Sequence, residues 1–377
     1  MNHITSWKYI PILALSPAEM TALAELPDKA KDNILPLFAL KGWLASTTLD
    51  KALERIKSSF GTRPWIADID ARYLSENKTF LFTGKHPDKP IFNELKNLLN
   101  PEDAYRNWFE FLKCNKNLIP SLRHEIVSSS EEISEQIKRL ADLNRGVVIR
   151  YKANETNLTK YKEIINGAQL SNYDNLTILL DFEDIDHNYN EEIKLLETFI
   201  NHTTSCIHPA AVIISSTSFP ANFSGQKRGS FSIYERLLYN QAEKMSLFNP
   251  LIYSDRGSAR ANKQEGGSGV PPPRIDYPMQ KDWKFVRREV RNDIPNSKEN
   301  RKAAYVEIAN EIIKSDYWIA DLRLWGTQQI ELTAEGSDFA ILTPQKSTSA
   351  RINIHLFNQL NYDVNPADVD TDDEWID

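Results

Sequence analysis

The sequence predicts an α/β fold, a single large (β/α)8, TIM-barrel-like domain with a C-terminal α+β elaboration, and three observations carry that expectation. Eight short apolar, β-branched runs recur, each followed by polar residues and then a segment with helical spacing of its apolar side chains. The runs are nearly continuous in apolar residues, as a parallel sheet buried on both faces demands, whereas a half-exposed sheet would alternate. A chain of 377 residues, 41% hydrophobic and 26% charged, can bury one large core without disulfide or metal staples. A doubly wound open parallel sheet produces the same strand and helix rhythm and is the alternative arrangement.

The first run, residues 9–15, leads into a helix for which Ser16 is the N-cap, Pro17 the first helical position and Glu19 the closing member of a capping box. The second, residues 34–40, precedes a helix over 47–60 whose Leu49, Leu53 and Ile56 mark one face. After the third, residues 64–70, an irregular insertion is expected near 71–100, followed by a helix over 101–114. The remaining runs are residues 118–122, 146–152, 176–183, 211–216 and 251–255, with helices over 131–143 and 191–200 between them. These units assign residues 1–260 to the barrel core. Residues 261–360 then form a loop, helix and strands that pack on it, and the acidic stretch 361–377 is expected to be disordered.

Charge and motifs remove several function classes. Lys and Arg total 45 against 52 Asp and Glu, a formal charge of −7, so any polyanion site must be local. Cys114 and Cys206 are far apart and lack metal-ligand spacing, which fits a reducing cytoplasm. The N-terminus has no signal-peptide pattern, and no run approaches the roughly 20 apolar residues of a membrane span. GQKRGS at 225–230 lacks the full phosphate-loop signature, there is no Gly-x-Gly-x-x-Gly, and Ser215 sits in no nucleophile elbow.

Three places carry a resemblance. The opening KYIPILALSPAEMTALAELPDKAKDNILPLFAL, the later YSDRGSA with PPPRIDYP and DWKFVRRE, and the closing ARINIHLFNQL occur in one order across the chain. Together they resemble the Beta protein family, named for a protein of a T4-type phage. Two departures stand out. Ala14-Leu15-Ser16 and Ala39-Leu40-Lys41 replace a Lys and a Glu after the first two strands, and a terminal double His is reduced to Ile354-His355. The resemblance implies phage or anti-phage defence biology and transfers no activity.

In a barrel the chemistry sits at the C-terminal strand ends. Those ends are Asp68 and Asp70, Arg123 and His124, Arg150 and Lys152, Asp181 and Glu183, Ser215 and Ser216, and Asp255 with Arg256. Alternate strand residues share a direction, so Arg150 points with Lys152, Asp181 with Glu183, and Asp68 with Asp70. Arg123, Arg150, Lys152 and Arg274 are the candidate phosphate clamp. Asp70, Asp181, Glu183 and Asp255 are candidate acid and base groups with His124 as proton shuttle, and Asp181, Glu183 and Asp255 are candidate Mg²⁺ ligands. This chemistry suits binding of a phosphorylated small molecule, a local nucleic-acid contact, or metal-assisted hydrolysis by a phosphodiesterase or nuclease. The same residues could simply pair into salt bridges sealing the barrel top.

A non-catalytic scaffold that recognises a phage product or partner protein is the competing function. The stretch 281–291, with Trp283 and Phe285 among Lys281, Lys284, Arg287, Arg288 and Arg291, reads either as a single-strand nucleic-acid surface or as a core strand. The prolines at 271–273 would stiffen a loop that fixes Arg274 over the mouth.

Overall fold

A computed structural model of the chain describes residues 4–124, 129–154, 158–223, 225–245, 250–262, 270–290, 297–365 and 369. Its strands are β1 (Ile12–Leu13), β2 (Leu37–Leu40), β3 (Trp65–Ile69), β4 (Leu118–Pro120), β5 (Val147–Lys152), β6 (Leu176–Asp184), β7 (Ala211–Thr217), β8 (Arg228–Ser232), β9 (Leu251–Ser254), β10 (Arg274–Pro278) and β11 (Asp282–Arg287). Each of the eight predicted runs holds one, β1 to β7 and β9. The α/β organisation therefore stands, with parallel pairing in the orders β1-β2-β3-β4 and β5-β6-β7-β9. The ladders are two sheets of four rather than one continuous sheet. At one pair of edges Tyr9 bridges both Ile34 and Tyr253. Beside it the Ile10 amide donates to the Tyr253 carbonyl at 3.0 Å and the Ile12 amide to the Asp255 carbonyl at 2.8 Å. At the other pair Ser121 bridges Val148, and the Leu122 amide donates to the Val148 carbonyl at 2.8 Å.

Strand alternation sorts the side chains into two cores. Ile12, Leu37, Ile66, Ile119, Val148, Leu179, Ile213 and Ile252, one from each parallel strand, belong to a small apolar cluster of their own. Their neighbours Leu13, Phe38, Trp65, Leu118, Ile149, Leu180, Ile214 and Tyr253 join the large cluster that also includes the helices. Both faces of each parallel strand are thus apolar, which is why the runs read as continuous.

The helices follow the predicted spacing with local differences. Ser16 caps the helix Pro17–Ala24, accepting from the Glu19 amide at 3.3 Å, but the Glu19 carboxylate turns to the Ala14 amide at 3.0 Å and so does not complete a capping box. The stretch near 71–100 is helical rather than irregular, forming Ala71–Ser75, Lys78–Thr83 and Pro90–Leu98. Pro90 at the first position and the buried Ile91, Phe92, Leu95 and Leu98 on one face drive the last of these. No helix among the described residues is long and apolar enough to cross a membrane.

Beyond β9, the hairpin β10–β11 joins β8 in a three-stranded antiparallel sheet, and the helices Ser297–Ile313, Trp325–Ala334 and Pro344–Leu360 follow. Trp283 and Phe285 are buried, with Phe285 stacked on Phe231 at 5.5 Å, while Lys281 is exposed and Lys284 partly so, the alternation of a core strand. Arg291 lies outside the described residues, as does most of the acidic stretch 361–377. The helix Pro344–Leu360 is buried almost all round from Ser347 to Gln359, so its polar side chains must find partners inside the protein. Asn353 accepts from the Gly326 amide at 2.9 Å and donates to the Ala22 carbonyl at 3.0 Å. Asn358 donates to the Pro278 carbonyl at 2.9 Å, and Gln359 donates to the Gln280 carbonyl and accepts from Arg236, both at 3.0 Å.

Candidate functional site

The eight parallel strands end on one side of the molecule, and a cavity of about 420 Å³ opens there. Strand alternation that buries one apolar residue deep in the small cluster carries the next inward position up to this opening. Asp68 follows Ile66 and Arg150 follows Val148, while Asp181, which follows Leu179, does not line the cavity but pairs with the lining Arg150 and Arg256. Eight cationic side chains line the cavity, Lys41, Arg72, Arg123, Arg150, Lys152, Lys160, Arg256 and Arg260, against the carboxyls of Glu19, Asp68, Asp70 and Glu76.

Its buried arginines form a chain of alternating charge with Asp68 and with Asp181 behind them. Arg123 Nη2 meets Asp68 Oδ1, and Arg150 Nη1 reaches Asp68 Oδ2 at 2.6 Å. Arg150 Nη2 and Nε reach Asp181 Oδ2 at 2.6 and 3.2 Å, and Arg256 Nη2 reaches the same oxygen at 2.6 Å. The second oxygen of Asp181 accepts the Glu183 amide at 3.1 Å. Burial alone would push both carboxyls up, but Arg123 and Arg150 around Asp68, and Arg256 and Arg150 around Asp181, outweigh it and hold both far below the usual carboxylate range. Neither aspartate has a proton to give or take near neutral pH. Three guanidiniums against two carboxylates leave one positive charge in a buried network, and the Nε of the 7% exposed Arg256 has no hydrogen-bond partner among the described residues.

The more exposed rim carries lighter pairs. Lys152 meets Glu183 at 2.9 Å, Arg72 meets Glu183 at 3.7 Å, and Lys41 meets Asp70 at 3.8 Å. Arg150 and Lys152 share the cavity as their spacing predicts, and so do Asp68 and Asp70. Asp181 and Glu183 do not point together. The register between β6 and β7 slips between Asp181 and Asp184, and Glu183 sits at φ +57°, which swings its carboxylate to the rim. His124 lines the cavity and its Nε2 bonds the Arg150 carbonyl at 2.8 Å.

Two predicted site residues belong elsewhere. Asp255 faces away from the mouth and is wholly buried. Its Oδ1 accepts from Tyr9 Oη at 2.6 Å and the Gly257 amide at 2.8 Å, and its Oδ2 from Tyr253 Oη at 2.9 Å and His355 Nε2 at 2.8 Å. Burial favours its neutral form, but His355 and these donors outweigh burial and keep the carboxyl below its usual range. Asp255 ties the chain before β1, strand β9 and the C-terminal helix together. The predicted Mg²⁺ trio of Asp181, Glu183 and Asp255 is therefore dispersed, and among the described residues no three His, Cys, Asp or Glu are grouped to hold a metal ion. Arg274 pairs with Asp276 at 2.8 Å and lies 3.6 Å over the Phe223 ring, lining a neighbouring cavity instead of the mouth.

The sequence reading missed Lys41, Arg72, Lys160 and Arg260 as mouth residues because all four lie beyond the strands, on loops and helices. Arg256 was visible as the inward position two after Ser254.

Comparison with known proteins agrees with the quoted motifs. The model of the family described as "Beta protein" matches residues 9–361, and the chain belongs to that family. It is also 26% identical to Protein beta of Enterobacteria phage P4 over 364 residues, covering 95% of this chain and 94% of that protein. That relative comes from phage P4 rather than from a T4-type phage.

Proposed function

We propose that the eight parallel strands close into a (β/α)8 ring and that its mouth binds a phosphate-bearing ligand, in phage biology or in defence against phage. The ring is supported by the hydrogen bonds at both sheet edges and by the inner cluster that draws at least one residue from each parallel strand. The phage setting is supported by family membership and the P4 relative. An exposed, unpaired Cys114 accords with a reducing cytoplasm.

One observation carries the ligand class: a mouth whose cations outnumber its carboxyls, in a chain of net charge −7. Buried guanidiniums fixed by Asp68 and Asp181 are preorganised, so an anion entering the mouth does not have to order them first. The same pairing argues for binding over hydrolysis. Asp68 and Asp181 are committed as counter-ions, Asp255 is committed to four donors, and Glu183 is held at the rim by Lys152.

Calorimetric titration with pyrophosphate in low salt tests this. The reading expects saturable binding, weakened about tenfold or more by the double substitution Lys152→Met and Lys160→Met, since a hydrogen bond to a charged group contributes about 1.5–3 kcal/mol. Absence of binding at millimolar pyrophosphate, or an unchanged affinity in the double variant, overturns it.

A further inference from the structure

Beside the mouth lies a second cavity of about 450 Å³, and the two share Ala259, Arg260 and Asn262 as a common wall. That wall is pinned: Asp184, at the end of β6, accepts from the Ala261 amide at 3.0 Å and from the Asn262 amide and side chain at 3.2 and 2.9 Å. Four arginines, 260, 274, 287 and 351, of which Arg287 also pairs with Glu289 at 2.5 Å, line the second cavity, and its one lining carboxylate is Asp276. Arg274 and Arg351 both lean on that carboxylate, at 2.8 Å each, and each guanidinium is laid on an aromatic ring, Arg274 on Phe223 at 3.6 Å and Arg351 on Phe219 at 3.9 Å. Arg351 is 5% exposed, and Arg260 on the shared wall has only Asp184, at 3.5 Å, as ionic partner among the described residues. Ser347 and Thr348, from the first turns of the helix Pro344–Leu360, add hydroxyls.

This chamber differs from the mouth in kind. It combines excess positive charge with Phe219, Phe223, Tyr305, Pro271 and Pro272, so its complement carries an anionic group on a flat or apolar body. We infer that it is a second phosphate subsite and that the ligand is an extended phosphodiester, a dinucleotide or longer single strand, whose successive phosphates occupy the two chambers across Arg260. The inference rests on the mouth being an anion site. A compact anion such as pyrophosphate fills the mouth alone, whereas a nucleoside-length spacer lets one molecule reach both chambers and gain from effective concentration.

The experiment compares pyrophosphate, which fills the mouth alone, with 5′-phosphorylated diadenylate, by calorimetry, on the wild-type chain and on Arg274→Gln. Arg351 still pairs Asp276 in that variant, and circular dichroism confirms its fold. Arg287→Gln, at a residue that lines the second cavity and not the mouth, serves as a second variant if the first fails to fold. The inference expects the substitution to weaken the dinucleotide at least tenfold while leaving pyrophosphate unchanged. An unchanged dinucleotide affinity in the variant, or an equal loss for both ligands, overturns it and leaves the mouth site standing. If pyrophosphate fails to bind the wild-type chain, the mouth reading falls and the inference falls with it.

Discussion

Glu235 makes stability depend on pH in a direction opposite to that of the mouth aspartates. It lies in the first turn of the helix Tyr234–Ala242, 2% exposed, with its Oε2 accepting from the Ser218 amide at 3.0 Å and from the Ser218 hydroxyl. Its Oε1 is buried without a partner among the described residues. Burial first, and the nearby charge of Asp255 second, push the carboxyl up to about 8 from an ordinary 4.5. Between those values the folded protein keeps a proton that the unfolded chain has released. Stability is therefore unpenalised below about 4.5, falls by about 1.4 kcal/mol per pH unit above it, and levels off past 8. Glu235→Gln abolishes the titration. The amide changes the local hydrogen bonds by a fixed amount, which shifts the stability curve without tilting it. Subtracting the wild-type unfolding free energy from that of the variant cancels every other titrating group, so the difference should climb by roughly 4 kcal/mol between pH 5 and pH 8 and then flatten. Urea unfolding followed by the fluorescence of the eight tryptophans, at pH 5, 6, 7, 8 and 9, measures it. A difference that stays flat within about 1 kcal/mol across that range would refute the assignment of a buried, protonated carboxyl.

Arg150→Met should cost about 3–5 kcal/mol, because it strips one partner from each of two buried carboxylates while Arg123 and Arg256 keep the others. Thermal unfolding checks this, and a melting temperature equal to wild type would mean that the network carries no structural weight. Gly326→Ala should destabilise by about 1–3 kcal/mol although alanine is the better helix former, since its Cβ would sit 2.6 Å from the Ala350 carbonyl oxygen and 2.7 Å from Ile354 Cγ1. The sign decides here: a melting temperature raised by the added methyl would show that the helices Trp325–Ala334 and Pro344–Leu360 can part without cost.

The strands were legible because a parallel strand with two buried faces has only one way to read, and their ends were legible because polarity returns where the chain leaves the sheet. Alternation then correctly placed Arg150 with Lys152. It failed at Glu183, where a slip in register and a positive φ break the two-residue period with no glycine to announce them. Phase also misled at the end of β9. Ending the run at Asp255 nominated the residue that faces Tyr9 and His355, whereas the inward position is Arg256.

The C-terminal helix was the least legible element. Arg351, Asn353, His355, Asn358 and Gln359 are polar, yet their partners lie inside the protein at Asp276, Gly326, Asp255, Pro278 and Gln280, contacts that no local pattern records. What local sequence shows is the sign and address of each charge, and what it hides is which charge is already spent on another. That distinction changes the chemistry of the mouth. With Asp68 and Asp181 serving as counter-ions to Arg123, Arg150 and Arg256, the surplus left in the buried network is one positive charge, and it is on this surplus that the proposed anion reading depends.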